Sequence, residues 1–94
     1  MDGMTYHRTM ISPRQIRAAR QLLGWLQSDL SSSAGVSLSG IRDIERGARD
    51  PRVSTVAKIE AALKAAGVRF FDEDETGGEG VRLVRRPQKD RAAP

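Results

Sequence analysis

The chain has 94 residues, no cysteine, one histidine and a net charge of +4, which leaves room for one small domain with a thin core and excludes a disulfide framework and the usual zinc sites. No apolar run nears the roughly 20 residues that cross a bilayer, and the N-terminus lacks the basic-then-apolar order of a signal peptide, so a soluble protein of a reducing cytoplasm is expected. The charge is segregated: five acids and no base in residues 72–80 separate a basic body from a basic tail, a distribution suited to a polyanion, whose phosphates release counterions when neutralised.

Residues 1–11 show little periodicity and hold all three methionines and the only histidine. They read as a flexible arm, with Met10 as an alternative natural start to Met1. Arg8 would suit an arm that follows a groove, a disordered end being the other reading. His7 has no metal-ligating residue at a suitable spacing.

Order begins at Ser12-Pro13-Arg14-Gln15. This is a capping box with proline at the first helical position, in which Ser12 accepts from the Gln15 amide and the Gln15 side chain reaches back. A helix from Pro13 to about Leu23 follows, with Ile16, Ala19, Leu22 and Leu23 on one face. Arg14, Arg17 and Arg20 form the other, either as a solvated charged surface or as phosphate contacts. Gly24-Trp25 breaks the pattern, and the indole of Trp25, the only tryptophan, is expected to close the core between the first two helices.

Residues 26–47, LQSDLSSSAGVSLSGIRDIERG, give a short helix, a sharp turn at Gly35 and a second helix over about residues 38–46, capped by Ser37 and stopped by Gly47. This layout delivers one helix into a DNA major groove. Leu30, Val36, Ile41 and Ile44 are placed to hold the two helices together. With Ile41 and Ile44 turned inward, helical spacing turns Leu38, Ser39, Arg42, Asp43 and Arg46 outward. Arg42 can pair bidentately with guanine, Ser39 can bond a base edge or a phosphate, and Leu38 can touch a thymine methyl. Asp43 can accept from cytosine or hold Arg42 or Arg46 in place. Glu45 is expected to support the structure by pairing with a basic side chain of the first helix. Gln27, at the start of the first motif helix, sits where unpaired amides and the helix dipole favour an anion.

Gln27, Ala34-Gly35, Val36-Ser37 and Ile44-Glu45-Arg46-Gly47 together resemble the helix-turn-helix of the Xre/Cro family, the lambda-repressor-like DNA-binding domains of bacteria and their phages. With its flanking helices the likeness covers residues 12–67. The resemblance implies a mainly α fold, a four-helix DNA-binding domain, with Gln27 as a phosphate anchor and Arg49 and Arg52 in a loop that runs along the sugar-phosphate backbone. Base contacts are thus expected from Leu38, Ser39, Arg42 and Asp43, and phosphate contacts from Gln27, Ser37, Arg46, Arg49 and Arg52. The chain departs from the family pattern at Leu26, usually a Ser or Thr cap, at Ser31, usually small and apolar, and at Gly40, usually Ser or Thr. A lost cap and a glycine inside a helix each cost roughly 1 kcal/mol.

After the turn at Arg49-Asp50-Pro51-Arg52, Ser54 or Thr55 is expected to cap a helix that runs to about residue 66, with Val53, Val56, Ile59, Leu63 and Ala66 as its apolar stripe and Gly67 as its end. The period then changes. VRFF (68–71) and VRLVRR (81–86), joined by DEDETGGEG with glycines at the tip, read as a C-terminal β-hairpin over residues 68–86. An isolated hairpin is marginal in water, so it packs on the domain or pairs with a second copy as a dimerisation element. In this it resembles short regulators in which a strand pair replaces the family's fifth helix. Residues 87–94 read as a disordered tail. The acidic loop lacks the spacing of a calcium site.

There is no phosphate-cradling glycine loop, no nucleophile beside a base and no pair of carboxylates on rigid elements, so no catalytic residue, cofactor or metal is expected. The leading expectation is a cytoplasmic, nucleoid-associated transcriptional regulator. It would act as a repressor and homodimer on double-stranded DNA with inverted half-sites. The alternative is an antitoxin-like module that masks a protein partner, a toxin, while binding its own promoter.

Overall fold

A computed structural model describes residues 10–48 and 50–84. The expectations for the N-terminal arm up to residue 9, for Arg49 and for residues 85–94 lie outside the described residues. Four helices come first, α1 (Pro13–Leu23), α2 (Gln27–Ala34), α3 (Leu38–Glu45) and α4 (Val53–Ala65), and then two strands, β1 (Val68–Phe71) and β2 (Gly80–Leu83). The fold is mainly helical, with an antiparallel hairpin at its C-terminal end.

The first three helices begin where local chemistry dictates. At α1 the capping box is complete, with Ser12 Oγ accepting from the Gln15 amide at 3.1 Å and Gln15 Oε1 accepting from the Ser12 amide at 2.9 Å. At α2 the N-cap is Leu26, which offers no side-chain acceptor; the Leu26 amide donates instead to Asp29 Oδ2 at 2.8 Å, and that carboxylate also meets the positive end of the helix. Gly35, at φ 70°, turns the chain between α2 and α3. Ser31, where an apolar residue was expected, spends its hydroxyl on the Val36 carbonyl in that turn. A half-buried serine is thereby satisfied. Ser37 caps α3 by accepting from the Gly40 amide at 3.0 Å. The helix ends at Glu45 with Arg46 as its C-cap, and the Gly47 and Ala48 amides bond back to Ile44 and Asp43, both at 3.0 Å.

The core gathers at least one side chain from every helix: Ile16, Leu30, Ile41, Ile59 and Leu63 are fully buried, joined by Ile11, Ala19, Ile44, Val56 and Val68. Full burial of each large aliphatic is worth about 1.5–3 kcal/mol. Trp25 is half-buried against this cluster. Several sequence expectations are corrected. Ile11, assigned to the arm, belongs to the core. Leu22 is 43% exposed, because two steps of three residues swing it about 120° round the helix from Ile16. Val53 is 69% exposed, since α4 meets the core only from Val56 onward. The N-cap of α4 is Arg52, without a side-chain bond, and not Ser54 or Thr55.

The hairpin packs on the domain, β2 against α1 and β1 against α4. Its register pairs Val68 with Leu83, Arg69 with Arg82, Phe70 with Val81 and Phe71 with Gly80. Alternation then puts Val68, Phe70, Val81 and Leu83 on the packed face and the two arginines outside. At the tip, Asp74 and Gly77 exchange backbone bonds across Glu75-Thr76, so the glycines lie on the returning side and not at the apex expected from sequence.

What the sequence did not show is how the hairpin is fastened. Gln15 is buried, and its Nε2 donates to the carbonyls of Phe71 and Gly80, partners in register, each at 3.0 Å. Beside it, Ser12 Oγ donates to Glu79 Oε2 at 2.8 Å, and the Arg14 guanidinium donates to the same oxygen.

Candidate nucleic-acid interface

The two motif helices are fixed by apolar contacts on one side and by an ionic network on the other. Leu30 and Ile41 are fully buried, Ile44 is buried at the end of α3, and Val36 packs half-buried in the turn between the helices. Opposite them, Arg20 of α1 and Glu45 at the end of α3 form a two-pronged ion pair, Nε to Oε2 at 2.8 Å and Nη2 to Oε1 at 3.0 Å. Arg20 also donates from Nη1 to the Trp25 carbonyl at 3.0 Å, just before α2. One planar guanidinium thus sets the relative placement of three helices.

The expected pairing of Glu45 with the first helix is therefore found. On the arginine face of α1, Arg14 and Arg17 are exposed as a solvated surface would have them, with Arg14 bonding Glu79 and Arg17 donating to the Glu45 carbonyl, whereas Arg20 departs from expectation at only 13% exposure of its side chain. Helical spacing carried the signal for Arg20, which lies one turn beyond Ile16 and hence on the buried stripe.

With Ile41 and Ile44 inward, the other face of α3 is open. Ser39, Arg42, Asp43 and Arg46 are exposed, Ser37 is exposed at the cap, and Leu38 is half-buried. The Arg42 side chain makes no hydrogen bond or ion pair with any described residue. Asp43 pairs with Arg46 one turn on, and the hydroxyls of Ser37 and Ser39 lie 3.4 Å apart. Arg52 is exposed and likewise unpaired among the described residues. Gln27, the first residue of α2, turns its Nε2 to Glu45 Oε1 at 3.0 Å. The loop between α3 and α4 carries Asp50 at φ 53°, a left-handed conformation that aspartate tolerates better than most residues.

Among the described residues no group of three or more His, Cys, Asp or Glu converges as a set of metal ligands would. No described helix is long and apolar enough to cross a membrane.

Comparison with known proteins agrees with this geometry. The chain is 48% identical over 48 residues to an uncharacterized HTH-type transcriptional regulator of Mycobacterium bovis, Mb0023, and equally to its counterparts MT0026 and Rv0023 of Mycobacterium tuberculosis. The match covers 51% of this chain but only 19% of each relative. The helix-turn-helix family model matches residues 16–66, from Ile16 in the core of α1 to the end of α4 and more than half of the chain. The chain belongs to the helix-turn-helix family of transcriptional regulators, in its Xre/Cro, lambda-repressor-like form.

Proposed function

We propose that this chain is a sequence-specific DNA-binding regulator that represses transcription as a homodimer on an operator with inverted half-sites. The observation that carries the reading is the outer face of α3, where Ser39 and Arg42 stand exposed on a helix whose inner face is fully packed. Arg42, with no partner among the described residues, is free to pair with the O6 and N7 of guanine, while Ser39 and Leu38 supply a hydroxyl and a methyl-sized apolar contact. Gln27, Ser37, Arg46, Arg49 and Arg52 take the phosphates on either side. Asp43 screens Arg46 rather than meeting a phosphate itself.

The dimer is supported by the hairpin, which leaves two strand edges without a partner among the described residues and keeps Phe71 and Val84 exposed. Two copies related by a two-fold axis would read half-sites about 34–36 Å apart. A chain without cysteine suits the reducing cytoplasm, where the nucleoid lies.

Selection of bound sites from random duplexes, with the mass of the protein in solution, tests this directly. An inverted repeat and a dimeric mass are expected. On the selected site Arg42→Ala should cost about 1–3 kcal/mol and relax preference at one base, whereas Arg52→Ala should weaken all sequences alike. Equal losses on selected and random DNA for the Arg42 change would refute the assignment.

A further inference from the structure

Glu45 is only 3% exposed, yet it accepts from two different elements at once: Arg20 of α1 and Gln27 of α2. A carboxylate can only accept, so the Gln27 amide has one possible orientation, with Nε2 turned to Glu45 and its second N–H unclaimed by any described residue. Arg20 occupies both oxygens of Glu45 and so holds the carboxylate itself still. The side chain at the start of α2 is thereby fixed in the folded protein, where a free glutamine would sample many rotamers.

We propose that Glu45, clamped by Arg20, is a positioning residue for DNA-backbone contact, holding the Gln27 amide so that its free N–H meets a phosphate at the N-terminus of α2. The inference rests on the DNA-binding reading above and deepens it. The loss of Gln27 rotamer freedom is met on folding rather than on binding, which strengthens the contact without adding a new one. Because a phosphate has no base identity, the effect is uniform over sequence.

A double-mutant cycle on a fluorescent random-sequence duplex at low salt tests this. Gln27→Ala should weaken binding about tenfold in the wild-type background, the cost of one hydrogen bond to a charged group. In a Glu45→Asp background, whose carboxylate keeps its charge but is one methylene short of spanning both partners, the same change should cost less than about threefold. Equal factors in the two backgrounds would mean that Glu45 only props the fold, and would overturn the proposal. A wild-type protein that retains no duplex overturns the DNA-binding reading itself. Should Glu45→Asp unfold the domain, side-chain amide spectra of the wild-type protein decide. The Gln27 amide proton turned to Glu45 should exchange far more slowly than those of the exposed Gln21. Equal exchange overturns the proposal.

Discussion

Replacing Gln15 by methionine should loosen the hairpin and lower the stability of the whole domain. Methionine fills nearly the same volume, so the change removes hydrogen bonds and leaves little cavity. Three bonds go: Oε1 from the Ser12 amide at 2.9 Å, and Nε2 to the Phe71 and Gly80 carbonyls at 3.0 Å each. Gln15 is 4% exposed, so water cannot readily take its place. At about 1 kcal/mol per bond the loss is about 2–3 kcal/mol. For a domain of this size that lowers the midpoint of thermal unfolding by about 10–20 °C. Circular dichroism melts give the first number, and hydrogen exchange at β1 and β2 gives the location, since the backbone amides of the hairpin should lose protection before those of α2 and α3. A melt within about 2 °C of wild type, with hairpin protection unchanged, would refute the reasoning.

Arg20→Leu should destabilise by about 3–5 kcal/mol in urea titrations, because it strands the buried Glu45 carboxylate, and pairing it with Glu45→Leu should recover much of the loss; no recovery would mean the pair is not what the single change breaks. Leu26→Ser should raise stability by about 1 kcal/mol, since Leu26 is 67% exposed and caps nothing, whereas a serine there can accept from the Asp29 amide and complete the box; an unchanged melting midpoint would count against it. The Thr76 hydroxyl, and after it the Thr76 backbone amide, hold the Asp74 carboxyl below its ordinary value of 3.8. A depressed folded value means that the turn's contribution is fully present above the ordinary value and is lost as pH falls through the lower folded one. Carboxyl shift titrations should therefore show a lower Asp74 midpoint in the wild-type protein than in Thr76→Val, and equal midpoints would dismiss the hydroxyl as the cause.

The amino-acid sequence by itself determined the four helices, the caps of α1 and α3 and the side of α3 that faces out, because these follow from chemistry within one or two turns of chain. Ser12 and Gln15 cap each other across three residues, Gly35 and Gly47 stop helices where a left-handed residue is needed, and Ile41 and Ile44 fix the inward side of α3 by spacing alone. Only the tertiary structure decided which polar groups go inside. Gln15 meets the hairpin 56 and 65 residues away, and Arg20 and Gln27 meet Glu45 25 and 18 residues away. Such bonds have no local period. They form because packing of the aliphatic stripes removes water from those side chains, and a polar group cut off from water must find a partner among whatever the fold has brought beside it. The same contingency left Leu22 and Val53 in solvent, since an apolar residue is buried only where another element arrives to cover it.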